Sequence, residues 1–157
     1  MRTETEMYDL ILGTAKTDER IRAVILNGSR ANPRARVDPF QDFDIVYLVT
    51  DVKPFREDIT WIDRFGERMI LQLPNDTDGL QQDEHDPITY LMQFMDGNRI
   101  DLTLIPVDRL NEMETDSLTI TLLRDGRFEV AVAALTLFVA QYPEDSRLPW
   151  AYFLRGD

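Results

Sequence analysis

At 157 residues the chain is long enough to bury a core of its own and short enough for a single domain. It has no cysteine, which excludes disulfides and thiolate metal sites and suits a reducing cytoplasm. The formal net charge is −12 and the 17 Lys and Arg residues form no run, which argues against nucleic acid as a partner. No apolar stretch approaches the roughly 20 residues of a membrane helix, and the acidic opening Met-Arg-Thr-Glu-Thr-Glu is not expected to act as a secretory signal. Acidity of this size keeps many proteins soluble; it would also draw a polycationic small molecule towards a cleft.

In chain order, Thr3 and Glu6 spell a capping box, and Met7, Leu10, Ile11 and Ala15 follow at helical spacing, so a first helix is expected to end near Thr17. Residues 21–27 read as a buried strand stopped by Gly28, with Ser29 opening a short helical turn. Residues 32–41, with two prolines, form a loop. Residues 43–50 are apolar on both faces after Asp44, the pattern of a central strand. Pro54 suits the first turn of a helix carrying Phe55, Ile59, Ile62 and Phe65, with Trp61 on its flank and Gly66 as its stop. Met69, Leu71 and Leu73 then alternate with Arg68, Ile70 and Gln72 as a third strand.

Residues 74–87 are a long polar, acidic loop. In it His85 is expected to be exposed, and Asp83, Glu84 and Asp86 to be solvated rather than ligand-binding. Residues 88–95 and 99–105 flank Asp96-Gly97-Asn98 as a hairpin. Pro106 opens a short helix with Val107, Leu110 and Met113 inward. Residues 117–123 fit a strand better than a helix, and 127–140 a helix presenting Phe128, Val132, Leu135 and Val139. After Pro143 the chain is irregular.

Chemistry concentrates between Gly28 and Asp44. Strand side chains alternate, so Asp42 and Asp44 project from one side while Phe43 turns towards the core. Two neighbouring carboxylates repel unless a cation lies between them, and magnesium takes one or two carboxylates together with phosphate oxygens. A glycine turn lets backbone N–H groups approach an anion, and a serine hydroxyl can donate to it, so Gly28 and Ser29 are candidates for phosphate. Asp101 and Thr103 share one face of the second hairpin strand.

Gly-Ser, a spacer and Asp-x-Asp on a strand resemble the signature of the polymerase-beta-type nucleotidyltransferases. The wider wording is similar to the aminoglycoside 6-adenylyltransferases, the streptomycin-modifying branch: Gly28-Ser29-Arg30-Ala31-Asn32, Phe40-Gln41-Asp42-Phe43-Asp44-Ile45, Tyr90-Leu91-Met92 and Ile100-Asp101-Leu102-Thr103-Leu104. The resemblance implies an α/β nucleotidyltransferase fold, a mixed β-sheet flanked by helices. It also implies Asp101 beside Asp42 and Asp44 as a third acid, and a site for two Mg2+ ions. Gly28, Ser29 and Arg30 would hold the phosphates of ATP, with Arg30 facing the departing pyrophosphate. Asp101 would take the proton of an attacking hydroxyl, and AMP would pass to an aminoglycoside such as streptomycin.

The resemblance covers residues 1–127, the expected nucleotidyltransferase domain, and fades over 128–157, a helix and irregular tail. Members of this branch carry a helical second domain, so the expectation is a truncated homologue, one whose end arose from a shifted reading frame. Two further readings fit a short chain: a non-catalytic nucleotide-binding module, and a minimal nucleotidyltransferase acting on a protein partner. Apolar surface left open by a missing domain would be covered by the tail or by pairing of two chains as a homodimer.

Overall fold

In the computed structural model, the structure describes residues 1–32, 34–36, 38, 40–73, 83–112 and 120–124, the last of these and 110–112 by their backbone course. The elements are helix α1 (Glu4–Thr17), strand β1 (Ile21–Leu26), one helical turn α2 (Gly28–Ala31), β2 (Phe43–Val49), α3 (Lys53–Glu57), a 3-10 helix (Ile59–Phe65), β3 (Arg68–Gln72), β4 (Ile88–Phe94), β5 (Arg99–Pro106), a second 3-10 helix (Val107–Glu112) and β6 (Ile120–Arg124). The strands form one sheet in the order β3-β4-β5-β2-β1-β6. β2 and β5 are parallel and the other pairings antiparallel, so the sheet is mixed, as expected. Among the described residues no helix is long and apolar enough to cross a membrane.

Alternation along β2 sorts the molecule into two layers. Phe43, Ile45, Tyr47 and Val49 face a large core shared with Met7 and Ile11 of α1, Tyr90 and Met92 of β4, Leu102 and Leu104 of β5, and the aromatic group Phe55, Trp61 and Phe65. Val46 and Leu48 face the other way, into a smaller cluster with Ala23, Ile25 and Ile105. Asp44 shares that second face, two residues before Val46. α1 is capped as its sequence spells: the Thr3 side chain accepts from the Glu6 N–H and Glu6 reaches back to Thr3. It is fastened to the sheet by the Tyr47 hydroxyl, which donates to the Ile11 carbonyl at 2.6 Å.

Two stretches depart from the sequence reading. The single helix expected after Pro54 is two pieces, because the Asp58 carboxylate accepts from the Thr60 N–H and restarts the chain as a 3-10 helix. Ile59 therefore lies exposed, while Trp61, expected on a helix flank, is buried with its ring edge-on to Phe55, Phe65 and Tyr90. Pro106 closes β5 instead of opening the following helix. The hairpin is as expected, with Gly97 at φ 89 in its turn. Residues 74–82 of the acidic loop, Met113, the 117–119 end of the last strand and everything expected for 125–157 lie outside the described residues.

Candidate active site

β2 and β5 run parallel and begin at the same end of the sheet, with Asp44 paired in register to Asp101. β1 runs antiparallel to β2, so its C-terminal end arrives at that end too, and the Asn27 N–H donates to the Asp44 carbonyl at 2.9 Å. The topology thus delivers the Gly28 turn and the three acids to one corner. Asp42, Asp44 and Asp101 each offer an oxygen, and these oxygens lie within 4.8 Å of one another. All three residues are half-buried.

Gly28 closes one side of the corner. Its φ is 68, and a Cβ built on it would collide with the Asp44 carboxylate. Any side chain there would both strain the backbone and displace an acid. Ser29 is exposed in the single turn of α2, its carbonyl accepting from the Asn32 N–H. Arg30 does something the sequence did not suggest. Its guanidinium donates to the Gln41 and Asp42 carbonyls at 2.7 and 2.9 Å and to Glu4 at 2.8 Å, and it stacks 3.8 Å above the Phe43 ring. It therefore braces the strand entry that presents Asp42 and Asp44, and its charge reaches Asp44 as well.

The sequence reading missed Arg99. It stands two residues before Asp101 on the same face of β5, and the strand period alone could have found it. Its Nε and one terminal nitrogen fork the two Asp101 oxygens, each at 2.7 Å, and Nε lies 3.7 Å from Asp42. The hydrogen bond to Asp101, opposed by burial, raises the affinity of Arg99 for its proton, with Asp101, Asp42 and Asp44 adding their charge. Asp44 is pushed up to about 6, chiefly by burial and then by the charges of Asp42 and Asp101, with Arg99 and Arg30 pulling the other way. The corner is thus a site of concentrated negative charge with hard oxygen donors, a donor set that fits Mg2+. His85 is exposed, as expected, and the acidic loop beside it is tied into ion pairs, Glu84 to Lys53 and Asp86 to Arg109.

A family model described as streptomycin adenylyltransferase matches residues 1–145. An aminoglycoside 6-adenylyltransferase of Campylobacter jejuni is 48% identical over 125 residues, 80% of this chain and 43% of that protein. One from Staphylococcus aureus is 33% identical over 147 residues, 93% of this chain and 50% of its own length. The crystal structure of an aminoglycoside 6-adenyltransferase from Bacillus subtilis matches with a TM-score of 0.58 and 39% identity over 71% of this chain and 38% of that one. The chain spans half or less of the length of these relatives. A corner of three acids on an α/β mixed sheet, and a family match over most of the sequence, lead to one conclusion: this chain belongs to the streptomycin adenylyltransferase family.

Proposed function

We propose that this chain carries the nucleotide- and metal-handling half of an AMP transfer from ATP to a hydroxyl of an aminoglycoside such as streptomycin. The observation that supports it most is the convergence of Asp42, Asp44 and Asp101 beside the Gly28 turn. Asp42 and Asp44 would hold Mg2+, with Asp101 as a third ligand, and the three acids would share a second ion. When bound, the ions supply charge neutralisation for the triphosphate and for the leaving pyrophosphate. The Gly28–Arg30 backbone and the exposed Ser29 hydroxyl orient the β- and γ-phosphates. Arg30, held near Asp44, adds positive potential there.

The acceptor hydroxyl oxygen forms a bond to the α-phosphorus as the bond from that phosphorus to the pyrophosphate oxygen breaks. The hydroxyl proton passes to the Asp101 carboxylate. Division at residue 127 into a nucleotidyltransferase domain and a separate following segment belongs to this proposal. So does a cytoplasmic site of action, which the absence of cysteine suits.

Pyrophosphate release with Mg·ATP and a panel of aminoglycosides tests the reading. Release that depends on streptomycin and is lost in Asp42→Ala supports it; Asp42→Ala turning over like the parent overturns it. Calorimetric binding of Mg·ATP with no pyrophosphate release under any aminoglycoside would instead mark a nucleotide-binding module.

A further inference from the structure

We propose that Arg99 is the resident counter-ion of the acid corner and that it competes with the divalent cation for Asp101. The inference rests on the metal site proposed above and goes beyond it, in naming the group that holds the acids together before a cation arrives. Three carboxylates with oxygens within 4.8 Å of one another need positive charge to stay assembled. Arg99 supplies it in a form that blocks part of the site: its planar fork engages both Asp101 oxygens at 2.7 Å and its Nε stands 3.7 Å from Asp42.

The pair is arranged for exchange. The Arg99 side chain is 42% exposed, whereas that of Asp101 is 19% exposed. The cation of the pair therefore lies on the solvent side and the anion beneath it. An arginine so placed can swing into water, and the divalent ion that takes its place supplies the charge that the fork gave up. Asp101 cannot follow it, being fixed in β5 opposite Asp44. A divalent ion entering the corner meets this guanidinium as a like charge and as a rival for the same lone pairs. Arg30 plays no such part, since its guanidinium is directed at backbone carbonyls and Glu4.

The test is a titration of the nucleotide-free protein with Mn2+, followed by electron paramagnetic resonance, and with Mg2+ by competition, in the wild type, Arg99→Met and Arg99→Lys. Circular dichroism and thermal melting of each variant in saturating Mg2+ check that it is folded. Loss of a competing charge in contact with one ligand is expected to tighten Mn2+ binding in Arg99→Met by about tenfold. Arg99→Lys, a point charge without the fork, is expected to fall between. Folded Arg99→Met that binds Mn2+ as the wild type does, or more weakly, overturns the proposal, since a purely bracing arginine would loosen the site when removed. If neither the wild type nor folded Arg99→Met binds either ion, the metal site itself is refuted and this inference with it; binding by Arg99→Met alone supports both.

Discussion

At the scale of single residues the corner trades stability for chemistry. Asp44 is raised to about 6, so its charged form is disfavoured by folding. A raised carboxylate contributes stability that is present in full below its unfolded value of 3.8 and is lost as pH rises through about 6. Metal-free protein is therefore expected to melt at a higher temperature at pH 5 than at pH 7.5. Asp44→Asn is expected to stabilise it at pH 7.5 by about 1 kcal/mol, allowing for solvent screening of a half-exposed group. The same variant is expected to lose divalent-ion binding, a separation that thermal melts with and without Mg2+ would show. Gly28→Ala tests the opposite wall. Its Cβ would meet the Asp44 carboxylate and its φ of 68 would be strained. The substitution is expected to cost about 1–2 kcal/mol of stability and about ten- to hundredfold in Mg2+ affinity. Unchanged affinity by calorimetry would show that Gly28 does not shape the site.

At the scale of elements, the start of β5 matters most, because it carries Arg99 and Asp101. It is anchored by the hairpin turn before it. Asp96 accepts from the Asn98 N–H at 3.0 Å and from the Arg2 backbone N–H and Nε at 3.0 and 2.6 Å, while Arg2 also donates to the Phe65 carbonyl at 2.7 Å. These bonds, Arg2 first, hold the Asp96 carboxyl well below the usual carboxylate range. A lowered carboxylate contributes stability present above its ordinary value of 3.8 and lost as pH falls below it. Asp96→Asn is expected to cost about 2 kcal/mol at pH 7 and to flatten the loss of stability between pH 4 and pH 2, as urea denaturation across that range would show. The hairpin and α1 were legible because their signals are local: a turn triplet between alternating runs, and a capping box before a helical stripe. The break at Asp58 was not, because the periodicity of Phe55, Ile62 and Phe65 serves a continuous helix and two short ones alike. A side-chain bond to Thr60 decided between them.

At the scale of the whole molecule, the three acids were legible only in part. Alternation put Asp42 and Asp44 on one side, but residue spacing says nothing about which strands are neighbours. Asp101 came into the site through the family wording, and the parallel pairing of β2 with β5 supplies the physical reason. Arg99 was readable from the strand period, and the bracing by Arg30 was not, since it depends on the path of residues 41–42. On the proposed reading, the net charge of −12 bears on the acceptor. Attraction of a polycationic aminoglycoside is screened by salt, so KM for streptomycin in the pyrophosphate assay is expected to rise with ionic strength while KM for Mg·ATP changes less. The most direct measurement of the central claim is calorimetric titration of ATP into the wild type and Asp101→Ala, each with Mg2+ and with a chelator. The expected result is binding by the wild type that requires Mg2+ and weakens at least about tenfold in Asp101→Ala. ATP binding that persists under the chelator, or that Asp101→Ala retains in full, would contradict a cation site built from these three acids.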